Sequence, residues 1–134
     1  MRSLVLFQTH MFLSCGFGGS DFLVGGGGDD TLEGGAGGDV LAGGDGFDTA
    51  SYRFADAGVS IDLSQSSSTW TGEAQGDVLS SIEAIGLTSF DDVINGDAAN
   101  NNVDGSVGDD QLFCKSRSNT PSQKRLICWV APPE

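Results

Sequence analysis

The sequence contains few basic residues, and this shortage excludes several classes of function. Only 6 of the 134 residues are Lys or Arg, against 19 Asp and Glu, which gives a formal net charge of −13. Between residues 16 and 113 the imbalance is larger, with eighteen acidic side chains and Arg53 as the one basic residue. Because nucleic acid and anionic membranes repel so acidic a surface, the charge argues against both as partners, and we predict no nucleic-acid partner and expect cations to bind.

Cysteine and histidine are also scarce. The three cysteines, Cys15, Cys114 and Cys128, lie outside the central segment, and an odd number excludes a fully paired internal disulfide framework. They are too few and too scattered for a zinc site, which uses closely spaced pairs. The single histidine, His10, has no partner motif around it, and no HExxH, G-x-S-x-G or phosphate-loop motif occurs. The sequence therefore predicts a protein without catalytic activity of its own.

Long hydrophobic runs are missing, and the two ends differ in composition from the centre. Residues 1–15, MRSLVLFQTHMFLSC, are apolar but too short to span a bilayer, and we predict an atypical N-terminal leader there and no transmembrane segment. Residues 114–134 are basic and contain all three prolines and no glycine. For this segment we predict a disordered tail.

Glycine, by contrast, is abundant and follows a period of nine. From Gly16 the chain reads GFGGSDFLV, GGGGDDTLE, GGAGGDVLA and GGDGFDTAS, with no insertion or deletion. Glycine opens each unit and returns at the fourth place, Asp holds the sixth place, and an aliphatic residue holds the eighth. The opening glycines are Gly16, Gly25, Gly34 and Gly43, and the sixth-place residues are Asp21, Asp30, Asp39 and Asp48. A fixed period indicates a repeat architecture and not a flexible glycine linker.

Each unit combines the features of a sharp loop and a short strand. We expect the glycines at the first and fourth places to give the backbone a positive φ, so that the loop bends and exposes its carbonyl oxygens. Calcium takes roughly six to eight oxygen ligands, carboxylates and carbonyls alike, and a glycine loop that ends in Asp supplies both. The last three residues can form a strand whose eighth-place side chain points inward, while Thr31, Glu33, Thr49 and Ser51 face water.

The units resemble the G-G-x-G-x-D-x-U-x nonapeptide of RTX, or hemolysin-type, calcium-binding proteins. The resemblance implies an all-β fold, a parallel β-roll or right-handed β-helix, in which each glycine-rich nonapeptide makes half a turn. Loops two units apart would then stack with Ca²⁺ between them. On this basis Asp21 faces Asp39 and Asp30 faces Asp48, and the carbonyls of the opening glycines are further ligands. Residues 16–51 are thus predicted to form a calcium-binding array.

The period stops after Ser51, and residues 52–86 resemble the spacer that separates β-roll arrays. Val59, Ile61 and Leu63 alternate as in a strand, and a Ser-rich loop follows. The periodicity over residues 77–85 fits a helix as well as a strand, and we favour the strand. We predict strands and a loop for the spacer.

Residues 87–113 return to the period in weaker form, as LTSFDDVIN, GDAANNNVD and GSVGDDQLF. We predict a second, degenerate array here, in which Asp92 and Asp110 form one candidate calcium site. Strands that stack without a metal are the alternative. An EF-hand loop from Asn100 competes for the same residues, but its twelfth place is Gln111 where a bidentate Glu is required.

These observations together predict a secreted module that needs Ca²⁺ to fold. A chain with few large apolar residues and a high negative charge cannot offset the entropy of ordering, so calcium binding would supply folding free energy. Extracellular modules bind calcium with dissociation constants of about 10⁻⁴ to 10⁻³ M, which leaves them empty in a cytosol. The resemblance implies a type I exporter or a larger parent polypeptide as partner, with the chain as a fragment. The alternative is an accessory domain of a secreted enzyme (protease, lipase or alginate epimerase), or of an adhesin or toxin.

Overall fold

A computed structural model describes residues 2–8, 13–15, 18–96, 102–113 and 127–129, and it consists mainly of short strands. The strands are β1 (Arg2–Gln8), β2 (Leu13–Cys15), β3 (Asp21–Gly27), β4 (Thr31–Glu33), β5 (Val40–Asp45), β6 (Thr49–Ser51), β7 (Ser60–Asp62), β8 (Val78–Ser80), β9 (Ala84–Gly86), β10 (Val93–Asn95), β11 (Asn102–Asp104), β12 (Gln111–Phe113) and β13 (Ile127–Trp129). Two 3-10 helices, Ser67–Thr69 and Gly72–Ala74, interrupt them.

The strands form three parallel sheets. One sheet has six strands in the order β13-β11-β9-β6-β4-β2. The strands that alternate with these along the chain form a four-stranded sheet, β1-β3-β5-β8, and a three-stranded sheet, β12-β10-β7. Inward-facing residues of all three sheets share one hydrophobic core. The predicted all-β parallel roll is therefore confirmed.

Strand register shows that two nonapeptides make one full turn. In the four-stranded sheet Leu23 pairs with Leu41, and in the six-stranded sheet Leu32 pairs with Ala50, an offset of eighteen residues in both cases. The same place of each unit therefore recurs at the same position of the roll. This periodic stacking brings chemically equivalent residues into columns.

The eighth place of the unit supplies the core, as the period predicts. In the first array Leu23, Leu32, Leu41 and Ala50 are at most 1% exposed, and in the second Ile94 and Val103 are equally buried. Because side chains alternate across a strand, only the middle residue of each three-residue strand points inward. The spacer adds larger side chains to the same core, among them Tyr52, Ile61, Trp70, Ile85 and Leu87.

The spacer joins the two arrays into one continuous roll. β9 pairs with β6 on one side and with β11 on the other, so the six-stranded sheet passes through the spacer without a break. After β6 the chain forms β7, which belongs to the three-stranded sheet and pairs with β10. The next strand, β8, belongs to the four-stranded sheet and pairs with β5. This crossing shifts the ninefold register. The strands β8 and β9 confirm the strand interpretation of residues 77–85. β11 lies within the segment from Asn100 and excludes the EF-hand loop.

Both ends of the chain contain backbone strands. β1 and β2, within the predicted leader, pair with β3 and β4, and β13, within the predicted disordered tail, pairs with β11. The remaining tail residues, 114–126 and 130–134, lie outside the described residues. The part of the chain that the structure describes contains no helix with the length and apolarity needed to cross a membrane.

One prediction about the outer face is wrong. Glu33 and Ser51 were expected to face water, but they are only 2% and 4% exposed. The segment that follows β6 folds back over them, because the Phe54 N–H donates to Glu33 Oε1 at 3.1 Å and the Arg53 N–H donates to Ser51 Oγ at 3.4 Å. The ninefold pattern contains no signal for this cover, which comes from the spacer.

Candidate metal centre

The loops between strands bend at the second and fourth places of the repeat, which carry glycine in the second, third and fourth units. Gly26 and Gly28 have φ of 106°, and Gly44 and Gly46 have φ of 114° and 146°, a region that L side chains rarely adopt. These loops also stack closely, because a Cβ on Gly44 or Gly46 would collide with backbone of the loop eighteen residues earlier. The predicted role of the fourth-place glycine agrees with this geometry.

The opening glycines have a different role from the one predicted. Gly25, Gly34 and Gly43 do not adopt positive φ, and Gly16 lies outside the described residues. A Cβ on Gly25 would instead lie 2.6 Å from Asp30 Oδ2 and 2.6 Å from the Gly43 carbonyl oxygen. The opening glycine is therefore required for space, because it lets a carboxylate and a carbonyl approach the backbone.

Sixth-place carboxylates stack in two ladders. Asp39 Oδ1 accepts a hydrogen bond of 2.8 Å from the backbone N–H of Asp21, and Asp48 Oδ1 accepts one of 2.8 Å from the N–H of Asp30. The eighteen-residue turn places each carboxylate next to the loop that lies eighteen residues earlier in the chain. The structure thus brings together the two pairs of aspartates that the resemblance paired.

Both ladders continue into the spacer through two residues that sequence reasoning missed. The Asp39 N–H donates to Asp77 Oδ1 at 2.8 Å, and the Asp48 N–H donates to Glu83 Oε2 at 2.8 Å. A signal for Asp77 exists, since GEAQGDVLS from Gly72 has glycine, Asp and Leu79 at the first, sixth and eighth places. This unit lies two residues out of register with the first array, so a fixed period passes over it.

The carboxylates of the first array are buried and incompletely hydrogen-bonded. Asp30, Asp39 and Asp48 are 2%, 0% and 0% exposed. Both carboxylate oxygens of Asp30, and the Oδ2 atoms of Asp39 and Asp48, have no hydrogen-bond partner. Burial of a charged group without a partner is strongly unfavourable. The chain therefore holds a set of oxygens that lack a cation or a proton.

The pKa values of the ladder carboxylates also favour a bound cation. Burial raises the pKa of Asp39 and of Asp48 above its ordinary value, and the negative charges of Asp21 and Asp30 respectively raise it further. Each pKa is raised because the carboxylate loses its water and faces another carboxylate. A divalent cation would offset both causes, because its charge stabilises the buried carboxylates and screens them from one another.

The donor set fits a hard cation. Beside Gly25 the space is bounded by Asp30 Oδ2 and the Gly43 carbonyl, and beside Gly43 it is bounded by Asp48 Oδ2 and the Ser81 carbonyl. Oxygens from carboxylates and backbone carbonyls are the ligands of Ca²⁺. No group of three or more His, Cys, Asp or Glu side chains converges in the described residues, so backbone carbonyls would have to complete any coordination shell.

Comparison with protein families agrees with this chemistry. Residues 16–50 and 88–113, just under half of the chain, match the RTX calcium-binding nonapeptide repeat in four copies. Both segments are RTX repeats. RTX nonapeptide repeats bind calcium ions, form a structural module and occur in secreted proteins. A search of curated proteins found no match to the chain.

The carboxylate of Asp92 in the second RTX segment is hydrogen-bonded more completely than the buried carboxylates of the first segment. Asp92 and Asp110 come together, because the Asp92 N–H donates to Asp110 Oδ1 at 3.0 Å. The Asp92 carboxylate, however, accepts from the Val59 N–H at 2.7 Å and from the Thr88 N–H at 3.0 Å. Thr88 Oγ1 also lies 2.9 and 3.0 Å from its two oxygens. Asp92 therefore has its hydrogen-bond acceptors satisfied within the protein.

Proposed function

We propose that the chain is a non-catalytic calcium-binding module whose first RTX array folds when it binds Ca²⁺ outside the cell. The observation that carries this proposal is the set of buried carboxylate oxygens without partners in the two ladders, at Asp30, Asp39 and Asp48. Such oxygens are rare in folded proteins, because buried polar groups are normally hydrogen-bonded. A bound cation would explain why the fold retains them.

The proposed ligands are the paired aspartates of the two ladders, Asp21 with Asp39 and Asp30 with Asp48. Carbonyl oxygens of the opening glycines would complete the shells, and the position of the Gly43 carbonyl beside Asp30 supports this assignment. Calcium supplies positive charge in a place where the chain has none. The residues, in turn, hold oxygens at fixed positions and exclude water from them.

Dependence of folding on the ion follows from charge. Residues 16–51 contain seven acidic side chains and no basic one, and stacking brings these carboxylates within one or two turns of one another. Like charges at this spacing oppose the compact state. Since the unfolded chain has no formed site, the free energy of calcium binding would become folding free energy.

An extracellular location is part of the same proposal. Modules of this kind bind calcium with dissociation constants of about 10⁻⁴ to 10⁻³ M, so they fill only where calcium is abundant. The occurrence of RTX repeats in secreted proteins supports this location. A type I exporter or a larger parent polypeptide remains the proposed partner, and no feature of the described residues favours an attached enzyme.

Support for a further calcium site at Asp92 and Asp110 is weaker. The Asp92 carboxylate already accepts hydrogen bonds from Val59 and Thr88, so it has no orphaned oxygen to offer. Burial and the charge of Asp92 raise the pKa of Asp110, as in the first array, but Asp110 is only partly buried. We therefore assign calcium binding to the first array.

A calcium titration followed by far-ultraviolet circular dichroism tests the proposal. We expect the β signal to rise at millimolar calcium and to respond much less to magnesium, which demands a tighter octahedral shell. Assays for protease, lipase and polysaccharide-modifying activity on the same sample should be blank. An identical spectrum in excess chelator and in excess calcium would contradict calcium-dependent folding.

A further inference from the structure

Buried carboxylates of the roll fall into two groups. All five buried carboxylate oxygens without a hydrogen-bond partner belong to the array half (described residues 18–51), at Asp30, Glu33, Asp39 and Asp48. In the spacer half (described residues 52–96 and 102–113), no buried side-chain nitrogen or oxygen lacks a partner. The change occurs within ladders that otherwise continue from one half to the other.

In the ladder of Asp21, Asp39 and Asp77, a hydrogen bond from Tyr52 distinguishes Asp77 from Asp39. Asp39 and Asp77 occupy equivalent places, and the Oδ1 of each accepts the N–H of the loop above it. Asp39 Oδ2 has no partner, whereas Asp77 Oδ2 accepts a hydrogen bond of 2.9 Å from the Tyr52 hydroxyl. Tyr52 and Asp77 are each 1% exposed. The Tyr52 hydroxyl thus satisfies Asp77 Oδ2, whereas the equivalent atom of Asp39 has no hydrogen-bond donor.

Thr88 donates to the Asp92 carboxylate in a similar way, in the stack of loops that contains Asp92 and Asp110. Its N–H and its hydroxyl both lie within 3.0 Å of the Asp92 carboxylate, and the hydroxyl reaches both oxygens. Thr88 and Asp92 are 0% and 1% exposed. The loop of residues 87–92 therefore closes around its own carboxylate, with donors supplied from within the chain.

We propose that the hydroxyls of Tyr52 and Thr88 replace calcium in the spacer half, so that this half folds without the ion and templates the array half. The inference rests on the proposed function for its second part, since it assumes that the array half requires calcium. It assigns different roles to carboxylates that a repeat pattern would treat alike. Asp77 and Asp92 become structural acceptors and not calcium ligands.

The core of the spacer half supports independent order. Most large buried apolar side chains lie here, including Tyr52, Ile61, Trp70, Ile85 and Leu87, whereas the array half contributes one aliphatic residue per nonapeptide. Apolar burial is the main stabilising contribution to folding. The spacer half therefore combines a larger core with satisfied polar groups, and the array half has neither.

The boundary between the halves has the features of a template. β8 and β9 of the spacer half pair with β5 and β6 of the array half. Asp77 and Glu83 present carboxylate oxygens to the N–H groups of Asp39 and Asp48. A preformed spacer half would thus fix the register of the first turn, and calcium would then stabilise each turn stacked on it.

A tryptophan reporter in the full chain separates the two halves. Trp129→Phe leaves Trp70 as the only tryptophan, and Trp70 is 6% exposed with its Nε1–H donated to the Asp62 carbonyl at 2.8 Å. In excess chelator we expect blue-shifted emission and weak acrylamide quenching. Amide exchange measured by NMR should show Val59 protected in chelator, and Asp30 protected only after calcium is added.

Two isosteric substitutions test the hydroxyls directly. Tyr52→Phe leaves Asp77 Oδ2 without its donor, and Thr88→Val removes the hydroxyl from Asp92. In chelator each should lower the Trp70 unfolding midpoint by about 5 °C or more, while the calcium midpoint of the array half changes little. Thr49→Val, on the outer side of the array half, is the matched control and should leave the Trp70 midpoint unchanged.

The possible results have distinct meanings. A Trp70 that is exposed in chelator, while the array half still folds on calcium, overturns this proposal and leaves the proposed function intact. A protected Trp70 whose midpoint is as insensitive to Tyr52→Phe and Thr88→Val as to the control overturns the role of the hydroxyls. An array half that shows no calcium response contradicts the proposed function, and the division into two halves with it.

Discussion

Substitution of Asp39 by Asn should have opposite effects with and without calcium. The amide oxygen of Asn can still accept the hydrogen bond that the Asp21 N–H donates to Asp39 Oδ1 at 2.8 Å. The negative charge is removed, and the unpartnered Oδ2 becomes an amide nitrogen that cannot bind a cation. The change therefore isolates the ligand role of Asp39 from its role in the ladder.

The expected magnitude follows from charge and burial. Loss of a charged, fully buried oxygen contact typically costs about 1.5–3 kcal/mol, which corresponds to an increase of roughly ten- to a hundredfold in the calcium concentration at half-saturation. Without calcium the sign reverses, because burial and the charge of Asp21 hold the pKa of Asp39 above its usual value. Asp39→Asn removes this unfavourable charge and should stabilise the metal-free chain.

Two measurements on one sample test both signs. A calcium titration by circular dichroism gives the midpoint, and the β signal recovered in chelator as a stabilising osmolyte such as sucrose is added gives the metal-free stability. Asp45→Asn is the matched control, because it removes the same charge from the exposed end of β5. If Asp39→Asn and Asp45→Asn shift the calcium midpoint equally, then general charge reduction explains the response, and the assignment of Asp39 as a ligand is refuted.

Three further predictions concern the close approach of atoms to the opening glycines, the effect of pH on stability, and the packing of the core. Gly43→Ala should abolish most of the calcium response, because a Cβ would collide with the Ser81 carbonyl and Asp48 Oδ2, whereas Gly27→Ala, with no atom within 4 Å of the new Cβ, should titrate normally. Burial raises the pKa of Asp77 from 3.8 to about 6; the folded state therefore binds the proton more tightly, and its stability in chelator should fall by up to about 3 kcal/mol as the pH rises from 4 to 7. A chemical denaturation midpoint that increases over this pH range would contradict that sign. Ile61→Ala, at a fully buried core position, should destabilise the chain by about 2–5 kcal/mol in urea unfolding, and a change below about 1 kcal/mol would show that the spacer core contributes little.

The ninefold period predicts those features that repeat with it. It placed Leu23, Leu41 and their equivalents in the core, and the resemblance it carries paired Asp21 with Asp39. Both follow from local rules, since a two-residue alternation decides which side chain points inward and a constant turn length decides which loops stack. Features that depend on one residue type at a fixed spacing could therefore be predicted.

Features that depend on pairing between distant segments could not be predicted. β8 pairs with β5 at an offset of thirty-eight residues and β7 with β10 at thirty-three, and no local pattern encodes either distance. The cover over Glu33 and the roles of Tyr52 and Asp77 all follow from these pairings. The opening glycines also escaped a correct interpretation, because a requirement for space and a requirement for positive φ select the same residue.

The eighteen-residue turn also constrains how such a chain can change its length. Each turn contacts only the turns before and after it, as in other solenoids. Two adjacent nonapeptides could be duplicated or deleted without disturbing which sheet the following strands join. Gain or loss of a single nonapeptide would instead exchange the sides of the roll for every strand beyond the change, and each sixth-place carboxylate there would join the other ladder. Growth of the array in whole turns therefore keeps each strand in its sheet, whereas growth by a half turn exchanges the two sheets.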